Sequence, residues 1–359
     1  MPRFDLPLDE LRTYRPDVSE PADFDDFWSR TLAEARAAAS ASRGAEGSGT
    51  TAAGRGTTTA ATGGTTTAGA APSSSIVEGH LRDVEIRDVR FPGFGGEPVA
   101  AWLLVPRGLE GPAPAVVQYL GYGGGRGLPY DNCLWACAGF VQLVMDTRGQ
   151  GSGWGSGGAT ADPHGSGPAA SGFMTRGIED PHEYYYRRVF TDAVRAVDHV
   201  QGLPEVDPAR VVVAGISQGG GIALAAAALV GLGGDGPGVA AVLPDVPFLC
   251  HFERAVGMTD ADPYGELVRY LSVHREAVDR AFGTLAYFDG VNFARRVTAP
   301  ARVSVALLDQ TCPPSTVFAA ANWLGGPVEV DVYPFNQHEG GQVVQWERQV
   351  GWVKDLLGM

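Results

Sequence analysis

Cysteine is scarce in this chain. Its four residues, Cys133, Cys137, Cys250 and Cys312, are scattered singly apart from one C-x-x-x-C pair, and a density this low excludes a fold held by a disulfide framework. They read as buried thiols, with Cys133 and Cys137 able to meet across one helical turn. Long apolar runs are missing too. No stretch approaches the roughly 20 apolar residues of a bilayer span, so no membrane partner is expected. The opening MPRFDLPLDELRTYRP mixes charges throughout, where a secretory signal would carry an apolar core. A cytoplasmic location is the expectation. Positive charge is in deficit: 27 Lys and Arg face 41 Asp and Glu, for a formal net charge of −14. Nucleic acid and anionic membranes both demand a basic face, so neither is expected as a partner. A neutral or cationic small substrate fits better. There is no H-E-x-x-H and no clustered Cys/His spacing, so no metal is expected.

What is present centres on residues 211 to 229, VVVAGISQGGGIALAAAAL. Val211, Val212, Val213 and Ala214 form the apolar, β-branched run of a strand buried on both faces, and Ile222 to Leu229 are good helix formers. Between them Gly215-Ile216-Ser217-Gln218-Gly219 matches G-x-S-x-G in its strand-to-helix setting, the nucleophile elbow. Side chains at the flanking positions would collide with the neighbouring strand and helix, which is why glycine stands there. Gly220 and Gly221 let the helix approach closely, with its first N–H groups aimed at charge developing near Ser217. A nucleotide-binding turn would want G-x-G-x-x-G, which this stretch lacks.

Elsewhere strands and helices alternate. A helix is expected over 21 to 38, with Phe24, Phe27, Trp28 and Leu32 at helical spacing, as an N-terminal arm on the body. Residues 40 to 75 are almost wholly Ala, Gly, Ser and Thr, a composition that cannot offset its ordering entropy, and read as a flexible insertion. A β-meander follows from Ile76, then strands at 115 to 120 and 140 to 145 with a helix near 131 to 138 between them. A helix over 181 to 200 is expected to face Arg187, Arg188 and Asp192 to water. Strands are expected at 239 to 244, 302 to 308 and 328 to 333, a helical excursion at 251 to 294, and a closing helix at 341 to 357. The pattern predicts a single α/β domain over residues 1 to 359, with a mostly parallel, doubly wound sheet.

Serine is a poor nucleophile without a base to take its proton and an acid to orient that base. In α/β-hydrolases these follow in the order Ser, Asp or Glu, His, each on a loop after a strand. Asp309 follows the apolar run RVSVALL, and His338 follows VEVDVYPF just ahead of the last helix. Among the seven histidines only His338 comes after Asp309, so Ser217, Asp309 and His338 are the expected nucleophile, acid and base. Asp245, also at a strand end, is the second choice of acid. The oxyanion hole is expected from the N–H of Gln218 and that of Tyr122, in the glycine-rich loop after an early strand. Pro247, beyond Asp245, is expected to hold a stiff wall near the site, with Tyr122 and Thr311 close by.

The elements RGQGSG at 148 to 153, GISQGGG at 215 to 221, DVPFLCHF at 245 to 252, DQTCPPSTVFAA at 309 to 320 and HEGG at 338 to 341 carry a resemblance to the acetyl xylan esterase and cephalosporin C deacetylase family. The resemblance covers residues 1 to 39 and 76 onwards. It implies an α/β-hydrolase fold, Ser217, Asp309 and His338 as the triad, Gln218 and Tyr122 as oxyanion donors, and Arg148 and Gln150 bracing the loops around the site. It also implies a homohexamer acting on small acetylated carbohydrates, with no cofactor. Two departures stand out: Leu120 occupies the place of the family's usual histidine, and the 40 to 75 insertion has no counterpart. A peptidase of the prolyl oligopeptidase type, a general short-chain carboxylesterase and a non-catalytic binding scaffold are the competing readings; no blade repeats support the first.

Overall fold

The computed structural model describes residues 4–46, 72–155, 157–164, 171–232 and 236–359. Among the described residues, short β-branched and apolar runs, separated by Gly and Pro clusters, become nine strands: β1 Ser73–Val77, β2 Val84–Pro92, β3 Pro98–Pro106, β4 Ala113–Tyr119, β5 Val141–Met145, β6 Val206–Ile216, β7 Ala241–Asp245, β8 Ala301–Ala306 and β9 Val328–Tyr333. They form one sheet in the order β1-β2-β3-β5-β4-β6-β7-β8-β9. The first three and the β3–β5 pair are antiparallel, and everything from β5 through β4 to β9 is parallel. All five residues of β5 and Val211 to Ala214 of β6 are buried, as strands covered on both faces must be.

The helices are α1 Leu8–Leu11, α2 Phe24–Glu46, α3 Leu134–Cys137, α4 Tyr185–Gln201, α5 Gln218–Val230, α6 Phe252–Met258, α7 Tyr264–Val273, α8 Val278–Leu285, α9 Gly290–Ala294, α10 Pro314–Trp323 and α11 Gln342–Leu357. The N-terminal arm packs as expected. Phe24, Phe27, Trp28 and Leu32 of α2 enter the main core, and the Trp28 indole donates to the Tyr287 carbonyl at 3.0 Å. Yet α2 runs on to Glu46, and β1 begins at Ser73. Ordered backbone therefore enters the expected insertion from both sides; the rest of it, 47 to 71, lies outside the described residues. Small serines suffice for β1 because its antiparallel ladder to β2 is made by backbone groups.

The sequence expectation for α4 fails at two residues. Arg188 and Asp192 are buried, not turned to water, because α4 lies against the sheet on one side and beneath α2 and the 3₁₀ turn Phe94–Gly96 on the other. Their charges are met inside: Arg188 forms a bidentate pair with Asp162 at 3.0 and 2.9 Å. The cysteines also divide. Cys250 and Cys312 are buried free thiols, whereas Cys133 is half-buried and Cys137 exposed. No helix among the described residues is long and apolar enough to cross a membrane.

The chain order reverses at β4, whose neighbours β5 and β6 lie on opposite sides. Loops leaving the carboxyl ends of β4 and β6 therefore part there and open a crevice, the position where open α/β sheets build their sites.

Candidate active site

Ser217 sits between β6 and α5 with φ 57° and ψ −120°, a left-handed conformation that costs a non-glycine residue roughly 1–3 kcal/mol. The surroundings hold it there. Its N–H donates to the Asp245 carbonyl at 2.9 Å, and its own carbonyl accepts from Phe248 N at 2.9 Å and Gly221 N at 3.1 Å. A Cβ on Gly219 would stand 2.3 Å from the Tyr119 carbonyl oxygen, and one on Gly215 equally close to the Gly219 backbone. Neither contact is tolerable, so both glycines are sterically required.

The structure brings together three residues from three loops. Ser217 Oγ lies 2.9 Å from His338 Nε2, and His338 Nδ1 lies 2.9 Å from Asp309 Oδ2. Asp309 is wholly buried. Its other oxygen accepts from the N–H groups of Thr311 at 2.8 Å and Cys312 at 2.9 Å, which sets the carboxylate plane. Asp245, the second choice of acid, points elsewhere: its Oδ1 accepts from Gln349 of α11 at 2.9 Å. Burial pushes its carboxyl up to about 7, against the lowering effect of Ser304 and Gln349.

Gln218 opens α5, where the first N–H groups of a helix have no partner within it. Across the crevice, the Gly121 to Gly125 loop is clamped by side chains from elsewhere. Gln150 accepts from Gly123 N at 2.7 Å and donates to Gln218 Oε1 at 2.8 Å. The Tyr122 carbonyl accepts the Trp154 indole N–H at 2.7 Å, and the Tyr122 hydroxyl donates to Glu266 at 2.7 Å while accepting from Phe173 N at 2.9 Å. Burial, with the Glu266 carboxylate beside it, raises the Tyr122 phenol far above its ordinary pKa. Leu120 turns away from the crevice. It packs with Val84, Ile86, Leu104, Ala136 and Val144, so a leucine here changes the core and not the cavity wall.

Arg148 is a buried anchor for the same loops. It pairs with Asp192 through Nε at 2.6 Å and Nη2 at 2.8 Å, and with Glu97 at 2.5 Å, while its carbonyl accepts the Tyr185 hydroxyl at 2.5 Å. Burial alone would lower its pKa, but the Asp192 and Glu97 carboxylates outweigh that and raise it. Two residues on, Gln150 also donates to Tyr185 at 3.1 Å, so the charge network is tied to the residue that links the two sides of the crevice.

A cavity of about 360 Å³ opens onto Ser217 and His338, walled by Tyr122, Trp154, Ile216, Asp262, Pro263 and Thr311 among others. The expected Pro247 wall is not part of it. Pro247 is buried against α5, with its Cα 3.1 Å from where a Gly220 Cβ would lie, because the chain turns inward after β7. A different proline, Pro263 from the helical excursion, takes that place. Sequence reasoning also missed Trp154, Glu266 and Tyr186, whose hydroxyl donates to Gln218 Oε1 at 2.9 Å. Trp154 had a usable signal: it is a lone indole in a Gly/Ser-rich loop, 53% exposed, with no core to explain it.

The acetyl xylan esterase (AXE1) family model matches residues 1–45 and 68–356. Acetyl esterase Axe7A of Xylanibacter ruminicola is 33% identical over 168 residues, which is 47% of this chain and 36% of that protein; the match thus spans only about a third of that relative. Two solved structures align end to end. An acetyl xylan esterase from Paenibacillus sp. R4 is 34% identical with a TM-score of 0.80, and acetyl xylan esterase 1 from Thermoanaerobacterium sp. JW/SL YS485 is 30% identical with a TM-score of 0.80; each alignment covers 98% of this chain and 99% of the other. The sheet is that of an α/β-hydrolase. Matched over all but a short internal segment and its last residues, the chain belongs to the acetyl xylan esterase family.

Proposed function

We propose that this protein is a serine esterase that removes acetyl groups from small acetylated carbohydrates, xylo-oligosaccharides among them, with cephalosporin C as a further substrate. One observation carries the mechanism: Ser217, His338 and Asp309 are joined by two contacts of 2.9 Å at the wall of a cavity. His338 Nε2 takes the Ser217 proton as Oγ attacks the acetyl carbonyl. Asp309 holds the opposite ring N–H and offsets the charge of the imidazolium. The oxyanion is met by the N–H groups of Gln218 and Tyr122. Collapse expels the sugar alkoxide, which receives the proton from His338, and leaves an acetyl-enzyme. Water activated by His338 then attacks this ester and releases acetate. No cofactor enters any step. The same reading includes a cytoplasmic homohexamer, for which mass by light scattering is the check.

The cavity suits a short acyl group because its walls are pinned. Tyr122 is fixed at its carbonyl and its hydroxyl, and Pro263 and Thr311 offer little rotamer freedom. Each added methylene gains about 0.8 kcal/mol only where it fits, whereas overpacking a rigid pocket costs roughly 1–3 kcal/mol. On one common alcohol, kcat/KM should fall from acetyl to propionyl and be poor for butyryl and longer. Equal or rising efficiency up to hexanoyl would point to a general carboxylesterase. Ser217→Ala should lose on the order of 10⁴-fold or more while folding normally; substantial residual hydrolysis would favour a binding scaffold.

A further inference from the structure

Cys312 has no part in the chemistry above, yet its thiol stands beside it. One ligand atom each from Asp309, Cys312 and His338 lie within 4.8 Å of one another. We propose that these three side chains form an inhibitory site for a thiophilic divalent cation, zinc above all, which binds at His338 Nδ1 and so disables the base. The inhibition rests on the esterase reading; the metal binding does not.

The donor set selects the ion. Thiolate, imidazole and one carboxylate are zinc ligands, whereas calcium and magnesium require six or more oxygens. Tetrahedral zinc holds N and O at about 2.0–2.2 Å and S at about 2.3 Å, which places ligand atoms roughly 3.3–3.8 Å apart. His338 Nδ1 and Asp309 Oδ2 are 2.9 Å apart, so this pair has only to open by a few tenths of an ångström, and the sulfur, within 4.8 Å of a ring nitrogen and a carboxylate oxygen, to close by no more than about 1.5 Å. The carboxylate is already oriented by the Thr311 and Cys312 N–H groups on its other oxygen, the outer support that a metal ligand needs. A water would complete the tetrahedron. Thiolate, carboxylate and a neutral imidazole bring two negative charges to a dication, so the buried site is electroneutral and escapes the penalty of an uncompensated internal charge.

The proton balance defines the inhibition. Coordination takes the thiolate form of Cys312, so binding must release one thiol proton to solvent. The metal replaces the proton on His338 Nδ1, and that proton passes to Nε2. Nε2 then donates to Ser217 Oγ instead of accepting from it. A histidine locked in this tautomer cannot take the serine proton.

Binding is tested without activity in a Ser217→Ala, Cys133→Ser, Cys137→Ser background, which removes turnover and the other thiol pair. Titration with zinc by calorimetry, and with cobalt followed by its thiolate charge-transfer absorption, should show one ion per chain. Adding Cys312→Ser, or Cys312→Ala should the serine variant melt early, should weaken binding by at least about tenfold and abolish the band. An unchanged band or affinity, or no uptake at all, overturns the site. In the active enzyme, zinc should inhibit reversibly, EDTA should restore the rate, and magnesium should have no effect. Normalised to each protein's metal-free rate, half-inhibition of Cys312→Ser should need at least about tenfold more zinc. Uptake through Cys312 with no loss of rate would leave the metal site standing and overturn the inhibition together with the base role of His338.

Discussion

Asp245→Asn separates the two candidate acids through stability as well as rate. The Asp245 carboxyl is pushed from 3.8 up to about 7 by its removal from water, with Asp331 adding repulsion. In the unfolded chain it ionises at its ordinary value. A group that is harder to ionise when folded contributes stability that is fully present below its unfolded pKa and is lost as pH rises through its folded pKa. For Asp245 that window runs from about 4 to about 7. At about 1.36 kcal/mol per pKa unit, the wild type should lose about 2–3 kcal/mol between pH 5 and pH 8 through this group. Asparagine has the shape of the neutral acid, still accepts from Gln349 through its amide oxygen, and leaves the backbone carbonyl that receives the Ser217 N–H untouched. The stability of Asp245→Asn relative to wild type should therefore rise by that amount over the same pH range, measured by urea unfolding at each pH. Turnover should stay within a few-fold, while Asp309→Asn falls on the order of 10⁴-fold because an amide cannot hold the His338 tautomer. A pH-independent difference in stability refutes the burial argument. A larger loss of rate in Asp245→Asn than in Asp309→Asn refutes the assignment of the acid.

Asp192→Ala strips Arg148 of its bidentate partner in a site where both side chains are about 1% exposed. Glu97 stays beside Arg148 at 2.5 Å, so breaking this buried pair should cost towards the low end of about 3–5 kcal/mol, read as a lower urea midpoint at constant m-value. Trp154→Phe keeps an aromatic wall but removes the 2.7 Å donor to the Tyr122 carbonyl, so kcat should fall several-fold with KM little changed. Trp154→Ala also removes the wall, and KM should rise; an unchanged kcat in Trp154→Phe would show that the indole N–H does not steady the oxyanion loop, and equal KM in the two variants would show that the ring is not a substrate wall.

Legibility from sequence followed the distance over which each feature is determined. Ser217 was readable because everything that makes it an elbow, β6, Gly215, Gly219 and α5, lies within some twenty residues. Asp309 and His338 were readable because each ends a β-branched strand and because chain order eliminates the other six histidines. What stayed hidden depends on which elements meet. The polar stripe of α4 reads as a solvent face unless α2 is known to cover it, so Arg188 and Asp192 were placed in water when they are ion-paired inside. Pro247 and Pro263 are equally plausible walls on paper, since both lie beyond β7; only the inward turn after β7 and the return of the helical excursion decide that Pro263 faces Ser217. Gln150 shows the same limit from the other side. Its role in linking Gly123, Tyr185 and Gln218 was expected only through family resemblance, because a glutamine in a glycine-rich loop carries no local signature of the three partners that give it one. The candidate site is therefore specified twice: locally, where loops after strand ends present Ser217, Asp309 and His338, and at long range, where buried polar side chains set the loops that face them.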